Sequence, residues 1–176
     1  YGYTKFKSEE LLKKFKKKYN YNFGILRYFN VAGASPSGKI GEIETSHGHL
    51  IKNLAIQSLK KIPKVKIFGN NYKTFDGTCI RDYIHVTDLA DIHIKGLNYL
   101  QNNKKSFTLN CGYGKGYSVK EVIKATEKLT QKKLNYIIGP KRKGDSPKII
   151  SNPNKFKKVM KWQPKFDNLN IILKSA

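Results

Sequence analysis

Short apolar runs with strand character alternate with apolar residues at helical spacing along the whole chain, and this alternation restricts the fold to the α/β class. Lys5 to Lys18 reads as an amphipathic helix, with Phe6, Leu11, Leu12 and Phe15 set among lysines. Phe23 to Phe29 reads as a buried strand. The stretch from Asn30 to Ser46 is rich in Gly, Ser and Thr around Pro36, which predicts an irregular loop. A helix over His49 to Leu59 is followed by Pro63. Short strands are predicted at Val65 to Phe68, Tyr83 to Val86, Phe107 to Asn110 and Asn135 to Ile138. Thr87 or Asp88 can cap a helix running to Tyr99, and Ser118 with Glu121 forms a capping box for another. Two short terminal helices are expected at Lys155 to Met160 and Leu169 to Leu173.

The 176 residues suffice for one sizeable core, and no apolar run approaches the length of a membrane span. Cys79 and Cys111 have neither metal nor redox spacing and fit a reduced, cytoplasmic compartment. No His or Cys cluster suggests a metal. The net charge of +23 raises the question of a nucleic-acid partner. That charge is nearly all lysine, with only Arg27, Arg81 and Arg142 as arginines. Arginine supplies the planar fork that reads phosphates and base edges, so its scarcity argues against a nucleic-acid reader. Solvated lysine faces are the default reading, and the three arginines become candidates for places where a fork is needed.

Tyr1 and Lys5 fall one turn apart on one helix face. A phenol is a poor base at neutrality because it holds its proton to about pH 10, and a neighbouring ammonium favours the phenolate. The pair is therefore a candidate for proton transfer. With such a group at the first position and no initiator Met, the chain is expected to begin inside a longer framework.

Two glycine loops invite other readings. Gly33 to Lys39 matches the start of a P-loop, but Ile40 stands where a magnesium-binding Ser or Thr belongs and Gly41 argues against a helix there. A wide surface loop is the expectation. Gly112-Tyr113-Gly114-Lys115-Gly116 lies between strand and helix like a dinucleotide fingerprint, but its last interval is one residue short. No acid follows the next strand, which ends in Gly139. This loop is expected to allow close backbone approach, or to line a site, without binding a dinucleotide itself.

Several stretches together resemble one family. They are Tyr1-x-x-x-Lys5, then Leu26-Arg27-Tyr28-Phe29-Asn30, then Gly33-Ala34-x-Pro36-Ser37-Gly38. The run from Ile67-Phe68-Gly69-Asn70 through Asp76-Gly77-Thr78 and Arg81-Asp82-Tyr83-Ile84-His85-Val86 to Asp88-Leu89-Ala90 extends the match. Asn110-x-Gly112-x-Gly114-x-Gly116-Tyr117-Ser118-Val119 and Arg142-x-Gly144-Asp145 complete it. The chain thus resembles the nucleotide-sugar enzymes of the extended short-chain dehydrogenase/reductase superfamily, and within them the UDP-glucose 4-epimerase family.

The resemblance implies the end of an NAD-binding Rossmann domain over residues 1–31 and a smaller α/β UDP-sugar-binding domain over 32–176. It implies NAD as cofactor, a UDP-sugar as substrate and a homodimer for the full-length protein. The glycine fingerprint proper would lie upstream, so this chain by itself is not expected to hold NAD tightly or to turn over. Tyr1 would be the catalytic base and Lys5 would hold the nicotinamide ribose. Tyr28 and Phe29 would lie beside the nicotinamide, although from the residues alone they could be core aromatics. Asn30 would meet the substrate phosphate, the alternative being an Asx turn. His49 and Leu50 would touch the nucleotide, and Lys66 and Phe68 the uracil. Arg81 and Arg142 would grip the diphosphate, with Tyr83 in the same site and Asp145 on the ribose. The plain alternative for Arg81 is a surface ion pair with Asp82, and His85 is expected to be structural. The residue that sets sugar-pocket size would be Ile149, a side chain of intermediate bulk. Other UDP-sugar epimerases and sugar-nucleotide dehydratases stay open as activities, with a lysine-rich nucleic-acid module as the alternative from another class.

Overall fold

The computed structural model describes residues 1–43 and 49–176; the end of the predicted 30–46 loop falls outside them. The chain runs α1 (Gly2–Tyr19), β1 (Gly24–Tyr28), β2 (Asn30–Ala32), α2 (Leu50–Leu59) and β3 (Lys64–Phe68). It continues β4 (Ile80–Arg81), β5 (Tyr83–His85), α3 (Val86–Asn103), β6 (Phe107–Cys111) and β7 (Tyr117–Ser118). It ends with α4 (Val119–Thr130), β8 (Asn135–Gly139), β9 (Lys148–Ile149), α5 (Asn154–Met160) and α6 (Leu169–Ser175).

The longer strands pair in parallel across distant parts of the sequence. β1 lies on β6 with Gly24 opposite Phe107, β2 on β5 with Asn30 opposite Tyr83, and β3 on β8 with Lys64 opposite Asn135. Parallel pairing requires crossovers, and the helices supply them. The short β4 is flanked by β7 antiparallel and β9 parallel. The helices and strands close over one core that includes Ile51, Leu54, Ile67, Ile84, Ile92 and Leu134. Phe156 and Trp162 meet edge to face in it at 5.4 Å, and the Trp162 indole N–H donates to Asp91 at 3.0 Å. A buried indole needs such a partner. Helix α1 contributes no buried residue.

The structure corrects the sequence reading around Asn30 and at the start of α3. Asn30 to Ala32 is a strand, not the start of an irregular loop, because the Asn30 N–H donates to the Asp82 carbonyl and β5 supplies a partner. The strand predicted over Phe23 to Phe29 accordingly breaks at Phe29 into two. Helix α3 is capped by His85, whose ring nitrogen accepts from the Thr87 N–H at 3.1 Å, and not by Thr87 or Asp88. The capping box on α4 is as predicted: Ser118 Oγ accepts from Glu121 N–H at 3.0 Å, and the Glu121 carboxylate accepts from Ser118 N–H at 2.7 Å.

Helices α1, α3, α4 and α5 end on Asn20, Lys104, Gln131 and Lys161, all left-handed with φ between 47° and 54°. Glycine is the usual residue there because an L side chain crowds the carbonyl in that conformation. Lys104→Gly and Gln131→Gly should therefore each raise stability by about 0.5–1 kcal/mol, the gain offset in part by the freer unfolded chain. Asn20→Gly should gain less, since Asn tolerates this region. Chemical denaturation of the single variants checks the order.

Candidate active site and nucleotide subsite

Two clusters of predicted site residues form in the structure. The first lies where α1 faces β1. The Tyr1 carbonyl accepts from the Lys5 N–H at 3.1 Å and from the Thr4 hydroxyl at 2.8 Å, so the first helical turn holds Tyr1 and Lys5 in register. The Lys5 ammonium lies 5.5 Å from the centre of the Tyr1 ring. Both line a cavity of about 380 Å³ with Ser8, Glu9 and the residues of β1, Tyr28 among them. Tyr28 is exposed rather than a core aromatic, and its ring sits 6.2 Å from that of His93. Phe29 is half-buried beside it. Arg27 fixes the wall of this cavity. Its Nε and Nη2 meet the Glu9 carboxylate at 2.7 and 2.5 Å, a bidentate pair that joins α1 to β1 and holds the Glu9 carboxyl below the usual range.

The second cluster surrounds the carboxylate of Asp145. Arg142 Nε donates to it at 3.0 Å, and Arg81 Nη2 lies 3.6 Å from its other oxygen. Arg81 also donates to the carbonyls of Ile80 and Ser146 at 2.9 and 2.8 Å, which fixes its guanidinium plane. The Arg142 guanidinium stands 4.8 Å over the Phe68 ring at the end of β3, and the Lys66 ammonium 5.4 Å from the same ring. Two forks, an aromatic face and one acid thus converge from β3, β4 and the 140–145 segment. Such a set can hold a planar ring and a dianionic group next to it.

The remaining predicted residues neither line the Tyr1 cavity nor pair with Asp145. His49 precedes α2, with its Nδ1 3.0 Å from the Glu42 carboxylate, and lines a cavity of about 550 Å³ with Val31, Gly33 and Thr87. Leu50 packs partly buried against the core. Asn30 is a strand residue at the carboxyl side of β1, which removes the Asx-turn alternative. Tyr83 is buried in the core, where desolvation pushes its phenol pKa up. It supports β5 from within and does not line either cluster. Ile149 pairs with Arg81 across β9 and β4 and is half-exposed.

Arg81 does not pair with Asp82. The Asp82 carboxylate points inward, fully buried, and accepts from the N–H groups of Tyr113, Gly114 and Ser151 at 3.2, 3.0 and 3.1 Å and from the Ser151 hydroxyl at 2.5 Å. The 112–116 glycine loop therefore closes on an anion of its own chain. A Cβ on Gly112 would lie 2.5 Å from Ser151 Oγ and 2.7 Å from Asp82 Oδ2, which requires glycine. The 33–39 loop also closes on itself, with Ser35 N–H donating to the Ile40 carbonyl and Gly38 N–H to Ser35, both at 2.8 Å. Neither loop is a phosphate cradle. Sequence reasoning passed over Asp82 as an anchor; the signal available was an acid set between two candidate ligands, ahead of a loop whose amides had no assigned anion.

His85 is structural, as expected. It is buried and stacked on Phe166 with ring centres 4.4 Å apart, and its Nε2 meets Ser175 Oγ at 3.1 Å. Asp88 nearby takes the Tyr113 hydroxyl at 2.6 Å and the N–H groups of Lys165 and Phe166. Among the described residues, no group of three or more His, Cys, Asp or Glu could hold a metal ion, and no helix is long and apolar enough to cross a membrane.

Residues 1–112 match the family model for the NAD dependent epimerase/dehydratase family. The chain belongs to that family. A family relative from Azospirillum brasilense, a UDP-glucose 4-epimerase, is 40% identical over all of this chain, which covers 51% of the relative. The UDP-glucose 4-epimerase of Bifidobacterium longum, solved in complex with NAD+ and UDP, superposes with a TM-score of 0.92 at 34% identity, over 99% of this chain and 52% of that one. The UDP-Glc/GlcNAc 4-epimerase of Campylobacter jejuni is 43% identical with a TM-score of 0.76, over all of this chain and 54% of that one. The chain spans about half the length of the family relatives it matches.

The buried His85 generates a pH dependence. Its ring must be neutral for Nδ1 to accept from Thr87, and burial holds its pKa below the ordinary histidine value, with Asp88 opposing. Above about pH 6.5 folded and unfolded states are both neutral at this residue and its contribution is complete. Below that the unfolded chain takes up the proton first, so stability falls as pH drops. The melting temperature should decline between pH 7 and pH 5. His85→Asn, which keeps a capping acceptor but does not titrate, should flatten that decline.

Proposed function

We propose that this chain is the C-terminal part of a UDP-glucose 4-epimerase, a cytoplasmic homodimer when full-length, that interconverts UDP-galactose and UDP-glucose with NAD as cofactor. The observation that carries the reading is the convergence of Arg81, Arg142 and Phe68 on Asp145, with the Tyr1/Lys5 pair and exposed Tyr28 at a separate cavity. The Asp145 cluster suits a uridine diphosphate: rings stack on Phe68, the forks take the diphosphate and Asp145 takes ribose hydroxyls. Asn30, His49, Leu50 and Lys66 would complete the grip.

The residues of the Tyr1 cavity fit part of NAD. An ammonium and an exposed aromatic face suit a nicotinamide ribose and its ring, whereas both glycine loops already use amides within this chain. The pyrophosphate cradle would come from the part of the protein beyond this chain, and residues 1–31 would close that domain. When bound, NAD would take up and return the hydride at sugar C4, by way of a transient 4-keto sugar. The work of this chain is to move and hold protons and charge. Tyr1 would take the proton of the sugar 4-hydroxyl and give it back to the same oxygen once the sugar has turned its opposite face to the hydride. Arg81 and Arg142 hold the diphosphate while the sugar turns.

A second reading, a wider sugar range, is favoured by Ile149. It is half-exposed and lies in register with Arg81, next to the proposed sugar-diphosphate path. An assay with UDP-galactose and UDP-N-acetylgalactosamine separates the two.

Arg81→Lys and Arg142→Lys keep the charge and lose the fork. In the full-length enzyme each should weaken UDP binding by about 1–3 kcal/mol in calorimetric titration, while Lys60→Arg changes nothing. Parent-like affinity in both variants would reassign these arginines to structure. In the full-length enzyme Tyr1→Phe should lose on the order of 10²–10⁴-fold in turnover with UDP affinity unchanged; near-normal turnover would remove Tyr1 as the base.

A further inference from the structure

Arg142 has little of its own to hold it in place. Its side chain is 64% exposed, and its partners are the Phe68 ring and Asp145, which lies three residues on in the same turn. The backbone that carries it is bonded at Gly139 and Ser146, and the preceding residue anchors it between them. The Lys141 ammonium sits 4.6 Å from the centre of the Tyr72 ring and donates to the Asn71 carbonyl at 3.0 Å. Within about 6 Å of a ring face a cation is attracted by the ring quadrupole. Lys141 thereby covers Tyr72, which is only 7% exposed. Gly69 lets the two segments close: its φ is +83°, and a Cβ there would lie 2.5 Å from Lys141 Cγ and 2.8 Å from Tyr72 Cε2.

The platform under Lys141 is itself tied down. Tyr72 N–H donates to the Gly77 carbonyl at 2.9 Å, and Gly69 N–H donates to the Gly139 carbonyl at 2.9 Å. The Asp76 carboxylate takes Thr78 N–H and hydroxyl at 2.8 Å and the Ser118 hydroxyl at 2.5 Å. The 69–78 loop is thus anchored to the start of α4, and Lys141 clips the 140–145 segment onto it. One residue later the chain delivers Arg142 to Phe68.

We infer that Lys141 is a positioning residue for Arg142, locking it over Phe68 by capping Tyr72 and bonding Asn71. The inference rests on the uridine diphosphate reading of the Arg142 cluster, and its test separates the two. Amide hydrogen exchange on the ligand-free chain reads the clip without any ligand. Lys141→Ala should speed exchange at Gly69 and Asp145, both hydrogen-bonded in this region, and Lys141→Arg should restore protection. Titration with UDP then reads the consequence. Lys141→Ala should weaken binding roughly 5- to 30-fold, Lys141→Arg should bind like the parent, and Tyr72→Leu should reproduce the loss. On an Arg142→Ala background Lys141→Ala should add almost nothing, because the two act as one unit. Unchanged exchange in Lys141→Ala overturns the inference, as does parent-like UDP affinity in that variant. Losses that multiply in the double variant also overturn it, since Lys141 would then act on the ligand as an independent charge. A parent chain that shows the exchange response but no UDP binding refutes the ligand reading and leaves the clip standing.

Discussion

The buried carboxylate of Asp82 is the interaction on which the site depends. An unpaired charge in a protein interior is costly, and here the cost is met by three backbone N–H groups and a hydroxyl converging on one side chain. Those donors come from the glycine loop after β6 and from the segment after β9, so one residue joins three distant stretches. Its own carbonyl meanwhile accepts from Asn30. Because Asp82 faces inward, its neighbour Arg81 is directed away, into the half-buried niche beside Asp145. The neighbouring network of Asp88, Tyr113 and His85 extends the same logic, since the Tyr113 hydroxyl donates to Asp88 and accepts from the His85 N–H. Both acids are held by donors from segments distant in sequence.

The charge of the molecule divides into two kinds. Lysines supply nearly all of the +23, and most of them stand on exposed faces where water and salt screen them. Such a field draws anions to the surface without selecting among them. The three arginines each hold a specified geometry: Arg27 ties α1 to β1 through Glu9, and Arg81 with Arg142 flanks Asp145. Lys141 also holds a specified geometry, bound to a ring and a carbonyl. A flexible ammonium works there because the contact asks for a point charge over a ring face and not for a planar fork.

The α/β class, the capping box at Ser118 and Glu121, and the central positions of β3, β6 and β8 were legible in the sequence, because each rests on local pattern or local hydrogen bonding. The two-residue strands β4, β7 and β9 were not, since two residues carry no period. β2 was hidden for a related reason: Asn30 and Ala32 become a strand only when β5 arrives beside them. The His85 cap replaced the expected Thr87 or Asp88 because tertiary packing claimed Asp88 for Tyr113 and the 165–166 backbone.

The sequence alone settled which chemistry is present: a Tyr and a Lys one helical turn apart, a few forks in a field of point charges, and glycine loops that lack the residues a nucleotide cradle needs. It did so because side-chain identity and spacing along one helix or one loop are local properties. Only the tertiary structure decided which of these groups meet. Arg81, Arg142, Phe68 and Asp145 come from segments up to 77 positions apart, and parallel strand pairing with the buried anion of Asp82 brings them together. The same folding took Tyr83 out of reach and turned Asp82 from a partner of Arg81 into its anchor, because a carboxylate follows its donors, and those donors were set by the fold.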